Sequence, residues 1–335
     1  MERRVTLRDI AEKAGVHLST VSLALRNHPR ISEKTRVRIQ NLARELEYVP
    51  DASMSALASY RNSIRPHEVR TGLAYLSDWT SAKPFGAMVY DRARERAEER
   101  GYNLIEFNVG DGNSSLKHLQ SIWWNTGLKG VLIGPFVEST SLDADWSRWP
   151  VVAYGYSVVR PSFNRVTVNH FQDMKLHLEV LAEKGYERIG LCLPMSLEAR
   201  TGGQLRAAYM LFQDGRDGEA IPILDGAGCD DPDLLNEWAR EASLDAVIGY
   251  REHFDSLVDF GWQIPDQLGF SLLTKRSYEQ ETESISGFDT KADLLARHSV
   301  DFLISLVHEQ AYGVLDSPRV YMVSGEYRSA QTTRS

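Results

Sequence analysis

Residues 6–50 read TLRDIAEKAGVHLSTVSLALRNHPRISEKTRVRIQNLARELEYVP. Thr6 followed by Asp9 is a capping-box-like pair at a helix start. Leu7, Ile10, Ala11 and Ala14 then share one face at helical spacing. Gly15 permits the left-handed exit that a tight helix-to-helix turn needs. A second helix is predicted over Ser19–Leu25, with Val21, Ala24 and Leu25 for packing, and Asn27, His28 and Pro29 break it. Ser32 caps a third helix, helped by Glu33 near its positive end. Ile39, Leu42, Ala43 and Leu46 give that helix its apolar stripe. Two short helices joined at a glycine and braced by a third make the helix-turn-helix pattern, whose second helix enters the major groove. A small helical subdomain with no DNA role has the same spacing, so other features must separate the two.

Charge is one such feature. Residues 1–65 hold twelve Lys and Arg against seven Asp and Glu, whereas the whole chain holds 38 against 46. A net of +5 on residues 1–65 therefore sits beside −13 on the remainder. That asymmetry is expected where one end of a protein meets phosphates.

The rest of the chain alternates strand-like and helix-like runs. Strands are predicted at Thr71–Ser77, Asn103–Phe107, Gly130–Gly134, Val151–Tyr154, Arg188–Leu193, Ala246–Gly249 and Leu268–Leu273. Helices are predicted at Ala87–Arg100, Leu116–Asn125, Gln172–Lys184, Gly203–Gln213, Pro232–Glu241 and Ala292–Glu309, with a shorter one at Glu252–Phe260. Such alternation implies α/β architecture with parallel sheets covered on both faces. The length exceeds what one such sheet organises, so two lobes are expected. The expected division is a head at 1–49, a linker at 50–69 that is polar and rich in Ser and Ala, and a two-lobed body at 70–335.

Several function classes lack their signatures. No apolar run reaches a membrane span, and MERRVTLRDI has no apolar signal core, which points to the cytoplasm. Cys192 and Cys229 are expected to be thiols. The nine His form no cluster of metal spacing. Neither a Walker-type loop nor a Gly-x-Ser-x-Gly elbow is present. No cofactor, metal or catalytic residue is assigned, and an enzyme is not expected. Asp230-Asp231-Pro232-Asp233 reads as a helix cap rather than a calcium loop.

The head resembles that of the lactose-repressor (LacI/GalR) family of bacterial transcription regulators. The matching residues are Thr6-Leu7-Arg8-Asp9-Ile10-Ala11, Ala14-Gly15-Val16, Thr20-Val21-Ser22, Ile31-Ser32, Thr35-Arg36 and Tyr48-Val49-Pro50. The resemblance implies a helix-turn-helix head on a periplasmic-binding-protein-like body of two Rossmann-type lobes, with crossovers near 156–166, 285–290 and 318–325. It implies base contacts from Leu18, Ser19 and Leu23 and phosphate contacts from Thr20 and Ser22. Thr6, His17, Arg26, Arg30 and Thr35 complete the expected DNA-facing set. Two positions depart from the pattern: His17 replaces the usual capping Ser, and Leu23 replaces a common Arg. Leu offers a thymine methyl no more than an apolar contact, whereas Arg would pair with guanine. In the linker, the resemblance makes Leu57 a minor-groove wedge, with Met54 lining the facing surface.

Ligand is expected in the cleft outside the carboxyl ends of the strands. Candidate effector-binding residues are Asp78, Trp79, Phe85, Arg206, Tyr250, Arg251, Thr274 and Asp289. The family's effector-binding Arg falls on Leu205, its Asn-Asp pair on Tyr250-Arg251, and a further Asp on Thr274. Arg251 pairing with Glu252 or Asp255 is the structural alternative to a ligand contact there. The implied function is a homodimeric repressor on a near-palindromic operator, modulated by an unassigned small effector such as a sugar or other metabolite. The alternative is a ligand-binding module of the same body with no regulatory DNA binding. With no leucine heptads in SAQTTRS, a dimer is expected and not a coiled-coil tetramer. Its face is expected on the body around Ala87–Arg100.

Overall fold

The computed structural model describes residues 5–25, 31–46, 48, 71–78, 84–109, 115–215, 219–276 and 280–334. Three helices form the head: α1 (Leu7–Ala14), α2 (Leu18–Leu25) and α3 (Glu33–Glu45). The capping box at α1 forms, with the Thr6 backbone N–H donating to Asp9 at 2.7 Å. Gly15 ends α1 in the left-handed region at φ 63°, a conformation that costs glycine no Cβ clash. Ile10, Val21, Ala24 and Ile39 are fully buried at the centre of the head. Arg38 donates to the Ala14 carbonyl and Gln40 to the Ala24 carbonyl, so α3 grips the ends of both other helices.

The first lobe begins with β1 (Thr71–Ser77), α4 (Pro84–Glu99), β2 (Tyr102–Asn108) and α5 (Leu116–Thr126). It continues through β3 (Val131–Ile133), β4 (Thr140–Ser141), β5 (Val151–Tyr154), β6 (Val158–Arg160) and β7 (Asn164–Val168). The second lobe starts with α6 (His170–Glu183), β8 (Ile189–Leu193), α7 (Met195–Thr201), α8 (Gln204–Asp214) and β9 (Leu224–Asp225). There follow α9 (Pro232–Glu241), β10 (Ala246–Gly249), α10 (Arg251–Asp259), β11 (Gly269–Lys275) and β12 (Gly287–Asp289). The chain then returns to the first lobe for α11 (Ala292–Glu309) and β13 (Val320–Val323), and ends in the second with β14 (Glu326–Arg328).

Two six-stranded sheets result, in the orders β13-β7-β5-β3-β1-β2 and β14-β12-β11-β10-β8-β9. Every pairing in the first is parallel. In the second, only β12 with β14 is antiparallel. Central strands such as Val151–Tyr154 and Ala246–Gly249 are buried throughout, as strands covered on both faces must be. In the first lobe, α4 and α11 cover one face through Val89, Ala93, Val300 and Leu303. Trp123, Trp146, Trp149 and Phe163 fill the other. In the second lobe, α6 and α8 cover one face and α9 and α10 the other.

The lobes exchange chain three times. The first crossing is at Asn169, not within 156–166, because Val158–Arg160 and Asn164–Val168 form β6 and β7 of the first lobe. The second lies at 290–291, at the end of the predicted range, and the third at 324–325, inside its range. The crossings are held together. Asn169 N–H donates to the Val323 carbonyl at 3.0 Å, Gly325 N–H donates to Asp173 Oδ2 at 3.0 Å, and Lys291 pairs with Glu326 at 3.1 Å.

Boundaries shift by a residue or a few in several elements. α4 begins at Pro84 rather than Ala87, β11 runs on to Lys275, and α10 is Arg251–Asp259. Asp231 caps α9 by accepting from Asp233 and Leu234 N–H, as the acidic run implied. The expected linker at 50–69 lies outside the described residues, as does most of what would set the domain boundary near Val49.

Candidate nucleic-acid interface and ligand cleft

The first turn of α2 is the exposed end of the head. Leu18 is 45% exposed, Ser19 is exposed, and Thr20 and Leu23 are half-buried. His17 precedes them, and its Nδ1 accepts from Ser19 N–H at 3.3 Å. The ring nitrogen therefore does the work of a capping hydroxyl, which resolves the apparent defect at that position. His17 Nδ1 also lies 2.8 Å from Ser19 Oγ, tying that hydroxyl to the cap. Thr6 donates its hydroxyl to Asp9, and Thr35 Oγ1 lies 2.9 Å from Ser32 Oγ at the start of α3. Both are engaged at helix N-termini, where backbone N–H groups also favour anions. Arg26, Arg30, Met54, Leu57 and the Ser22 side chain fall outside the described residues.

The cleft lies where the carboxyl ends of the strands meet the opposite lobe. Asp78, just after β1, accepts from Val137 N–H at 3.0 Å. Phe85, in the first turn of α4, packs edge-on against Tyr154. The Arg276 guanidinium of the second lobe sits 4.8 Å above the Phe85 ring, a direct contact between lobes. Tyr250 follows β10 as the N-cap of α10. Its N–H donates to His253 Nδ1 at 3.0 Å, and His253 Nε2 lies 3.0 Å from the Cys229 carbonyl. That arrangement sets a neutral His253 with its proton on Nε2. Burial pushes the Tyr250 hydroxyl up to about 12, while the guanidiniums of Arg276 and Arg200 pull it back. Burial, then Arg200, lowers His170 to about 4, so its ring is neutral near pH 7.

Two predicted cations are engaged elsewhere. Arg206 is clamped between Glu198 and Asp225, which raises its pKa, chiefly through the hydrogen bonds to Glu198. Arg251 pairs with Asp255 at 2.9 Å and donates to the Glu281 carbonyl, matching the structural alternative. Thr274 lines a cavity of about 30 Å³ with His170, Asp173, His177 and Thr290. Asp289 accepts from Lys291 N–H at 2.9 Å. Trp79 lies outside the described residues. The candidate set omitted Arg200, Arg276 and His170. Arg276 directly follows β11, and a search of every strand's carboxyl end would have found it. The outward side of α4 is charged, with Arg92 paired to Glu95 and Arg94 to Glu98. Among the described residues no group of three or more His, Cys, Asp or Glu could hold a metal ion. No helix among them is long and apolar enough to cross a membrane.

Head and body together define a class: a helix-turn-helix unit joined to a two-lobed body of periplasmic-binding-protein type. Residues 6–51 match the model for bacterial regulatory proteins of the lacI family. Over those residues the head is similar to the heads of that family. It is 31% identical over 137 residues to the transcriptional regulator DegA of Bacillus subtilis strain 168, covering 41% of this chain and 38% of DegA. It is 24% identical over 250 residues to the repressor PurR of Yersinia enterocolitica, covering 73% of this chain and 66% of PurR. These matches span less than two thirds of either relative. The structure of the lac repressor dimer bound to operator and the anti-inducer ONPF aligns with 99% of this chain and 100% of its own. The TM-score is 0.58 at 18% identity, a likeness of fold.

Proposed function

We propose that the chain is a sequence-specific transcription repressor. It binds a near-palindromic operator as a homodimer, and a small effector between the lobes changes its affinity for DNA. The observation that carries this reading is the exposed first turn of α2 on a head matching the lacI family model. Leu18 and Ser19 face outward there, with Leu23 one turn on, as a recognition helix requires. A two-fold protein suits a two-fold site. The relatives PurR and DegA are named as a repressor and a regulator, and the lac repressor structure is a dimer on operator DNA.

On this reading the protein acts in the cytoplasm and performs no chemistry. Its domains are a head at 1–49, a linker at 50–69 and an effector-binding and dimerisation body at 70–335. Leu18, Ser19 and Leu23 contact bases, Thr20 and Ser22 contact phosphates, and Leu57 wedges the minor groove. Asp78, Phe85, Tyr250, Thr274 and Asp289 face the effector, while Arg206 and Arg251 brace the second lobe. The effector acts by favouring one lobe arrangement over another, a population shift.

Selection of binding sites by the full-length protein from a genomic DNA library tests the proposal. Recovery of a near-palindrome with a steep salt dependence is expected. Purely non-specific binding would overturn it.

A further inference from the structure

We infer that Ser19 reads DNA only as a hydrogen-bond acceptor, selecting the amino group of an adenine or a cytosine, and that His17 is the positioning residue that fixes this polarity. The inference rests on the regulator reading above and names the base chemistry recognised by the first turn of α2. The polarity follows from one ring nitrogen. His17 stands immediately before α2, and its carbonyl accepts from Thr20 N–H at 2.9 Å and Val21 N–H at 3.3 Å. Its Nδ1 lies 3.3 Å from Ser19 N and 2.8 Å from Ser19 Oγ. A backbone N–H can only donate, so Nδ1 is the acceptor and the proton of the neutral ring sits on Nε2. A nitrogen without a proton has nothing to donate to the hydroxyl. The 2.8 Å contact is therefore Ser19 Oγ–H donating to Nδ1.

A serine hydroxyl ordinarily serves either kind of base edge, because its single proton rotates to suit the partner. In Ser19 that proton is committed to the ring, and Oγ offers only lone pairs. Ser19 is exposed, so those lone pairs are accessible. In the major groove, adenine N6 and cytosine N4 carry donors, whereas guanine O6, guanine N7 and thymine O4 are acceptors. An acceptor-only oxygen meets an amino group with a hydrogen bond and a keto group with opposed lone pairs. Leu18, its neighbour in the same turn, is 45% exposed and suits a thymine methyl. Leu18 and Ser19 together thus present an apolar surface and an acceptor, with no donor for the two acceptors of guanine. The same ring nitrogen that caps α2 therefore also sets what the helix reads.

The test uses the full-length protein at fixed ionic strength. Site selection from a random DNA library by the unaltered protein and by Ser19→Ala locates the base pair that Ser19 reads, as the position where only the variant loses its preference. Duplexes are then made with single atoms deleted at that pair. Purine in place of adenine, or 2-pyrimidinone in place of cytosine, removes the amino group. 2-Aminopurine in place of guanine, or 5-methyl-2-pyrimidinone in place of thymine, removes the keto oxygen. Deleting the amino group should weaken binding about tenfold per half-site, the worth of one hydrogen bond, and Ser19→Ala should abolish that sensitivity. Deleting the keto oxygen should affect the unaltered protein and Ser19→Ala alike. His17→Asn keeps an acceptor oxygen in the cap and should preserve the coupling between Ser19 and the amino group. His17→Ala should reduce it, whereas a loss of capping alone would weaken binding to every duplex equally. Coupling of Ser19 to the keto oxygen, unchanged coupling in His17→Ala, or unaltered selection by Ser19→Ala would each overturn the inference. Those outcomes leave the regulator reading standing if the unaltered protein still selects a near-palindrome. Failure of that selection sinks the regulator reading itself.

Discussion

Replacing Asp173 by Asn should stabilise the body at neutral pH. Asp173 lies in the first turn of α6 and is 5% exposed. Its Oδ2 accepts from Gly325 N–H at 3.0 Å, at the third crossing between lobes. Burial raises the carboxyl to about 6, against the downward pulls of that hydrogen bond and Lys291. An ordinary Asp titrates near 4. The folded state therefore holds this proton more tightly than the unfolded state. Stability falls as pH rises between roughly 4 and 6, and the full penalty is present at pH 7.5. Two pH units correspond to at most about 3 kcal/mol. Allowing for solvent screening, a gain of about 1–3 kcal/mol is expected on neutralising the group. The carboxamide oxygen of Asn still accepts from Gly325. The adjoining cavity of about 30 Å³ has room for one water to take its NH2. Urea unfolding followed by circular dichroism from pH 4 to 8 measures the difference. The variant should be the more stable at pH 7.5, with the gap closing toward pH 4. Equal stability at pH 7.5, or a gap independent of pH, would refute the reasoning.

Two further changes separate head from body. Ile39→Ala removes a fully buried side chain from the centre of the head, at a cost of about 2–5 kcal/mol. Such a loss is comparable to the whole stability of a unit this small, so operator binding by fluorescence anisotropy should be lost while the body's thermal transition stays unchanged. A variant that still binds operator with wild-type affinity counts against the packing described. At the start of β11, a Cβ on Gly269 would overlap the Tyr186 ring, whose hydroxyl accepts from Arg334 N–H at 2.9 Å. Gly269→Ala should lower the body's transition by an amount equivalent to about 1–3 kcal/mol, and an unchanged transition temperature would show that the ring can move aside.

Much of this protein is set within short stretches of chain. The Thr6–Asp9 cap, the glycine after α1 and the apolar stripes of the three helices specify the head locally, because helix periodicity and capping act over a few residues. Strands such as Val151–Tyr154 are equally plain, being apolar runs that need burial on both faces. β7 is different. Asn164, Arg165 and Thr167 are polar yet buried, and the Arg165 guanidinium donates to the carbonyls of Gly155 and Val158. Hydrophobic pattern alone does not mark such a strand, so the first crossing was placed several residues early. The cleft was the least legible part. Arg206 looked available until Glu198 and Asp225 closed around it, and His17 looked like a missing cap until its ring nitrogen met Ser19 N–H. Tyr250 and Arg276 are far apart in sequence and come to act on one another only because β10 and β11 are adjacent. Helix spacing and capping determine the head in sequence, because those forces act between residues a turn apart. Charge partners and the cleft are decided only by tertiary structure, because sheet order sets which distant side chains share a low-dielectric edge.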